Sequence, residues 1–216
     1  KEKKEEQTEE KSGTELDFDF IFDVNRDADV RLDLDPVDGI LECKTNGVIR
    51  LTYNSKAGQL NMDGSLDLLS GDFSMSIKNL LPRKFELMEG GKISFNGPIK
   101  SSTIALTALY STVASLKTLS ENIDIARTTV NSYLSLSGNL MNPQPSFSFG
   151  FPKLTGEEAK EVFTYLDTTD HQNNLLQFFS LVYLRSFYSS NENISEMVNV
   201  ESSIDLISSA IGNMLL

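Results

Sequence analysis

Apolar and polar residues alternate in run after run between residues 16 and 151. Val30-Arg31-Leu32-Asp33-Leu34 shows the pattern, as do Phe73-Ser74-Met75-Ser76-Ile77 and Phe147-Ser148-Phe149-Gly150-Phe151. Successive side chains on a strand point to opposite faces, so each run has one apolar side and one wet side. Gly, Asn and Asp separate the runs at short intervals, which favours antiparallel neighbours. A long β-meander with a single apolar face is therefore expected. What covers that face decides what the protein does.

The runs can be placed one by one. Leu16, Phe18, Phe20 and Phe22 share a face, with Asp17, Asp19 and Asp23 opposite. Val30, Leu32 and Leu34 form the next run, which stops at a turn from Pro36 to Gly39. Ile49, Leu51 and Tyr53 lead into a hairpin loop, Asn54-Ser55-Lys56-Ala57-Gly58. Leu60 and Met62 continue, Gly64 interrupts, and Ser70-Gly71-Asp72 reads as a turn into Phe73. Phe85 and Leu87, then Ile93 and Phe95, are followed by a turn at Asn96-Gly97. Ile104, Leu106, Ala108 and Tyr110 make a longer strand, and Leu134 and Leu136 precede the final Phe147–Phe151 run. Residues 111–129 fit less well; Val113, Leu116 and Leu119 have helical spacing, so a loop or short helix is expected there.

The period changes after Pro152. Thr155-Gly156-Glu157-Glu158 is a capping box, with Thr155 as N-cap. Ala159, Val162, Phe163 and Leu166 then follow helical spacing. A second helix is expected from about Gln172 to Tyr188, apolar almost all round and so destined for burial. Ile204, Ile207, Ile211 and Met214 suggest a third. Residues 1–13 hold no large apolar side chain and read as a charged, disordered linker. The expected organisation is linker 1–13, β domain 14–152, and a helical segment 153–216. Charges at the start and an apolar pattern still running at Met214-Leu215-Leu216 suggest a piece of a longer protein.

A net charge of -12 argues against nucleic acid and anionic membrane surfaces as direct partners. No stretch has the length and apolarity of a membrane-crossing helix. Cys43 is the single cysteine and His171 the single histidine, so neither an internal disulfide nor a zinc site is expected. Asp23-Val24-Asn25-Arg26-Asp27 opens like a calcium loop, but Ala28 stands where glycine is needed and Leu34 where the bidentate glutamate belongs. The aspartates are better read as a wet strand face that discourages unwanted edge pairing. With no nucleophile elbow and no phosphate loop, no cofactor and no enzymatic activity are expected.

Glu89-Gly90-Gly91-Lys92-Ile93-Ser94-Phe95-Asn96-Gly97, followed by Ile104-Ala105-Leu106-Thr107-Ala108-Leu109-Tyr110, resembles the C-terminal domain of TamB proteins. Further pieces follow in the family's order. They include Gly71-Asp72-Phe73, Leu136 with Gly138, Leu140, Asn142 and Pro143, then Phe147, Phe149, Phe151 and Pro152, and a helix from Leu176 to Phe187. The resemblance spans roughly residues 16–188 and is closest to Bacteroidetes-type members. Where the family usually carries Asp-Pro or Asn-Pro after the matching glycine, this chain reads Gly97-Pro98-Ile99-Lys100.

The resemblance implies an AsmA-like envelope protein: an elongated antiparallel meander curled into an open taco or half-pipe with an apolar interior, then C-terminal helices. It implies an inner-membrane-anchored parent reaching across the periplasm to an Omp85-type outer-membrane assembly protein. Phospholipid or amphipathic β-segments would be the cargo, in phospholipid transport or outer-membrane protein assembly. The groove-lining residues expected are Phe18, Phe20, Phe22, Leu32, Leu34, Leu51, Tyr53, Met62, Phe73, Met75, Ile77, Phe95, Leu106, Ala108, Leu136, Phe147 and Phe149. The Omp85-type partner would dock on an open sheet edge by strand addition. The alternative is a closed β-sandwich interaction or adhesion module, in which a second sheet covers the apolar face.

Overall fold

The computed structural model describes residues 16–34, 39–75, 82–166 and 170–188. Eight strands form one open antiparallel sheet: β1 (Phe18–Leu34), β2 (Gly39–Asn54), β3 (Gln59–Met75), β4 (Arg83–Leu87), β5 (Gly91–Pro98), β6 (Thr103–Ser115), β7 (Arg127–Asn139) and β8 (Gln144–Gly150). The order is β1-β2-β3-β4-β6-β7-β8, with β5 also lying between β3 and β6. Helices α1 (Gly156–Tyr165) and α2 (His171–Phe179) follow the sheet. Among the described residues there is no second sheet, so the apolar face is not closed in a sandwich.

The first three strands are longer than the sequence pattern suggests. The two runs read between Leu16 and Leu34 are one 17-residue strand, interrupted by a bulge between Val24 and Ala28. Gly64 and Ser70-Gly71-Asp72 do not break β3 either, because β2 holds its backbone in register through both. Gly64 shows why a glycine stands there: its φ is +125°, and a Cβ would lie 2.0 Å from the Val48 carbonyl oxygen. The glycine marks a close approach of backbones inside a strand.

β4 and β5 run in the same direction along β3 and amount to one strand broken at Met88-Glu89-Gly90. Gly90 takes φ +98° in the break. The bulge in β1, the register shift between β2 and β3, and this break fall on one line across the sheet. Thr45 on that line pairs with Ala28 on one side and Leu68 on the other, and Leu68 pairs with Gly91. Bulges bend and twist a sheet locally. The line separates a stretch near the helices from a stretch beyond them.

Other local expectations change in smaller ways. β5 continues through Asn96-Gly97 to Pro98, and a single 3-10 turn, Ile99–Ser101, leads into β6. The Ser102 amide donates to the Ile99 carbonyl there, while the Ser102 carbonyl accepts from the Leu140 amide. Between residues 111 and 129, β6 runs on to Ser115 and only a 3-10 turn, Leu116–Thr118, is helical. The capping box forms as expected, the Thr155 amide donating to Glu158 Oε2 at 2.7 Å. The apolar second helix is α-helical only to Phe179, then passes into a π-turn, Ser180–Leu184, that stops at Arg185 in the left-handed region. The turn from Pro36 and the segment from Ile204 to Met214 lie outside the described residues.

Candidate binding face

The register assembles the site. Residues directly opposite in an antiparallel pair point to the same side of the sheet. Across β1, β2 and β3 this aligns Phe18 with Tyr53 and Leu60, Phe20 with Leu51 and Met62, and Leu32 with Leu41 and Phe73. The row continues from Phe73 to Phe85, and from Leu87 to Ala108, Leu134 and Phe147. One apolar stripe thus passes through every strand without changing faces. A slip of one residue in any pair would turn that strand's apolar set to the wet side.

The opposite face is ionic. Arg50 reaches Asp19, Lys44 reaches Asp29, Arg31 reaches Glu42, Lys84 reaches Asp72 and Lys92 reaches Asp67, each across a strand boundary. Hydrogen bonds from Arg50 hold the Asp19 carboxyl below its ordinary range, and Asp72 raises Lys84. These pairs are solvent-exposed and screened, so they contribute to register and solubility more than to stability.

Cover divides the apolar face in two. Near the helices it is shut. Phe178 of α2 stacks on Phe85 with ring centroids 5.8 Å apart and lies 4.6 Å from Phe147. Arg83 sits over the Tyr183 ring, and Phe151 meets Phe163 and Phe187. Of the residues expected to line a groove, Phe73, Met75, Leu106, Ala108, Leu136 and Phe149 are buried in the resulting core, and Phe147 is packed against it. Their side chains lie in the packed core beneath the helices.

Beyond the line of bulges Leu66, Ile93 and Ile104 stay buried, but toward the far ends of β1, β2 and β3 the same face is open. Phe20 is 53% exposed, Phe22 48% and Leu60 49%. Phe18 stacks between Phe20 and Tyr53, and Phe20 meets Phe22 edge-on. Leu51, Tyr53, Met62, Phe95 and Phe18 are half-buried, as is Leu32 on the helix side of the line. Leu34 pairs in register with Gly39, and Ile77 lies outside the described residues. Alternation in the sequence pointed to this ladder of rings. The alternation also places Ile49 and Leu60 on these runs, although they were not among the lining residues expected, and Phe178 comes from the apolar helix rather than from a strand.

No group of histidine, cysteine and acidic side chains among the described residues is placed to hold a metal ion. Cys43 points into the core, where burial and the nearby Asp29 push its thiol up to about 11. No described helix is long and apolar enough to cross a membrane. No curated protein and no solved structure matches the chain. A family model, the TamB C-terminal domain, matches residues 1–205, nearly the whole chain. An open antiparallel sheet carrying its apolar side chains on one face accords with that match, and the chain belongs to the TamB C-terminal domain family.

Proposed function

We propose that this chain is part of a TamB-like protein of the Gram-negative envelope that shelters apolar cargo on the open stretch of its sheet. The cargo is a phospholipid acyl chain or an amphipathic β-segment of an outer-membrane protein. The parent protein is anchored in the inner membrane, crosses the periplasm and meets an Omp85-type partner, which docks on a sheet edge by strand addition. The role is carriage without catalysis. The observation that carries this reading is the ring ladder of exposed Phe20 and Phe22 with half-buried Phe18 and Tyr53, which lies on the same face as the buried core. Solvated rings on the core side of a sheet lose a large apolar area from water when something covers them, at about 25 cal/mol per Å². Contacts of this kind are non-directional, so a chain slides along them at little energetic cost.

The lining is then Phe18, Phe20, Phe22, Ile49, Leu51, Tyr53, Leu60, Met62 and Phe95, and α2 closes the other end. A photocrosslinker at Phe20 or Leu51, exposed to vesicles of phosphatidylethanolamine, is expected to capture lipid, while one at Phe85 is not. Absence of adducts at both open positions overturns the lipid reading. Equal capture at Phe85 overturns the closed end. A crosslinker at Phe20 that captures nascent outer-membrane proteins in cells but never lipid selects the protein cargo.

A further inference from the structure

We propose that Arg83, Arg127 and Arg185 form a binding site for a phosphate group at the helix-side end of β6. The site lies across the bulge line from the ring ladder, so the inference does not rest on the cargo reading.

Three elements bring the arginines together. β6 pairs Ala108 with Leu87 and Leu109 with Glu86, and the same register carried to the start of β4 sets Arg83 level with Thr112. Arg127 begins β7 opposite Ser115, and its Nη2 lies 3.5 Å from the Val113 carbonyl oxygen on β6. Arg185 ends the π-turn, and with Arg127, Tyr110, Thr112 and Thr129 it lines one open cavity. Arg83 is next to it: its guanidinium sits 5.2 Å from the centre of the Tyr183 ring, in that same π-turn. Arg185 has φ +57° and is the only described residue besides glycines with a positive φ. Helices usually stop in this conformation on a glycine or asparagine, so an arginine there is held against its preference, as happens at ligand sites. The structure around it supplies the hold. The Arg185 amide donates to the Leu181 carbonyl, and the buried Gln177 side chain accepts from the Tyr188 amide and donates to its carbonyl, both at 2.8 Å.

These charges are uncompensated. Elsewhere the sheet answers its cations: Arg31, Lys44, Arg50, Lys84 and Lys92 each have a carboxylate. Arg83, Arg127 and Arg185 have none among the described residues, and Arg83 Nε is buried without a hydrogen-bond partner. Glu158, which shares an adjoining cavity with Arg127 and Lys153, is engaged by the Thr155 cap. In a chain of net charge -12 this is a local reversal of sign. A guanidinium fork meets two oxygens of an oxyanion at once and keeps its charge at any physiological pH. A carboxylate has oxygens for one fork. Three forks around one cavity match a phosphate group, and the hydroxyls of Tyr110 and Thr129 add donors at the wall.

Isothermal titration calorimetry of the full chain at low salt tests this with inorganic phosphate, glycerol 3-phosphate and dihexanoylphosphatidylglycerol kept below its micelle concentration. Saturable binding of at least one probe is expected, weakened about tenfold or more in Arg127→Gln and in Arg185→Asn. Both arginines are exposed and asparagine tolerates the left-handed conformation, so both variants are expected to melt with the parent. Arg26→Gln removes another exposed arginine that has no carboxylate among the described residues, in the β1 bulge, and is expected to leave binding unchanged. Tighter binding of the lipid than of glycerol 3-phosphate assigns the site to a phospholipid headgroup; equal or weaker binding assigns it to a soluble phosphate. Absence of saturable binding by all three probes overturns the site. So does binding that survives unchanged in Arg127→Gln or Arg185→Asn, or that falls equally in Arg26→Gln.

Discussion

The ring of Phe178 in α2 lies parallel to that of Phe85 in β4, with centroids 5.8 Å apart and an interplanar angle of 7°. Both side chains are fully buried, and Phe85 also meets Phe73 and Tyr110. This contact joins the helical segment to the sheet and determines where the apolar face stops being accessible.

Truncating Phe178 to alanine is expected to cost about 3–5 kcal/mol, as is truncating Phe85, because each leaves a cavity in a packed core. The double variant is expected to cost less than the sum, with a coupling of about 0.5–1.5 kcal/mol for the stacked pair. Urea unfolding of the four proteins measures it. Phe20→Ala, made beyond the line of bulges, is expected to shift the midpoint by less than about a third as much, since exposed side chains lose little on truncation.

Thr45 lies on the bulge line, fully buried, and its Oγ1 has no hydrogen-bond partner among the described residues. Valine has the same shape without the hydroxyl. Thr45→Val is therefore expected to stabilise the fold by about 1 kcal/mol, by sparing the desolvation of an unpaired group. A lower urea midpoint in the variant would show that the hydroxyl is satisfied.

Cys43 is buried in the core between Val30 of β1 and Gly71 of β3, with its thiol raised to about 11 by burial and by Asp29. At pH 8 only about one thiol in a thousand is then thiolate. Iodoacetamide is expected to leave the native chain unmodified and to label it stoichiometrically in urea, read by intact mass. Rapid native labelling would mean that β1–β3 opens locally.

The α1 cap has a defined acid sensitivity. Hydrogen bonds from the Thr155 amide and hydroxyl hold the Glu158 carboxyl below its ordinary 4.5. A carboxyl depressed in the folded state stabilises fully above its unfolded value and loses that contribution as pH falls through the folded one. Wild type is therefore expected to exceed Glu158→Gln in stability at pH 7 and to converge with it as pH falls through the lowered folded-state value. Thr155→Ala, which removes the N-cap itself, is expected to cost about 1 kcal/mol at pH 7. Thermal melts of the three proteins between pH 3 and pH 7 check both statements.

Strand content, antiparallel pairing and the sharing of one face were legible in the sequence, because a period of two leaves a residue no choice of side once its neighbour's is known. The capping box was legible for a similar reason: Thr155 and Glu158 stand three apart and act locally. Continuity across Gly64 and Gly71 was not. A glycine reads as a break in one strand, and only the flanking strands determine whether the backbone is held through it. The difference between Phe20, which is open, and Phe73, which is shut, is also invisible in an alternation that both obey. Local chemistry sets which side of a strand is apolar. Which part of that side meets water depends on where α2 comes to rest, and burial belongs to the two surfaces that meet rather than to either one alone.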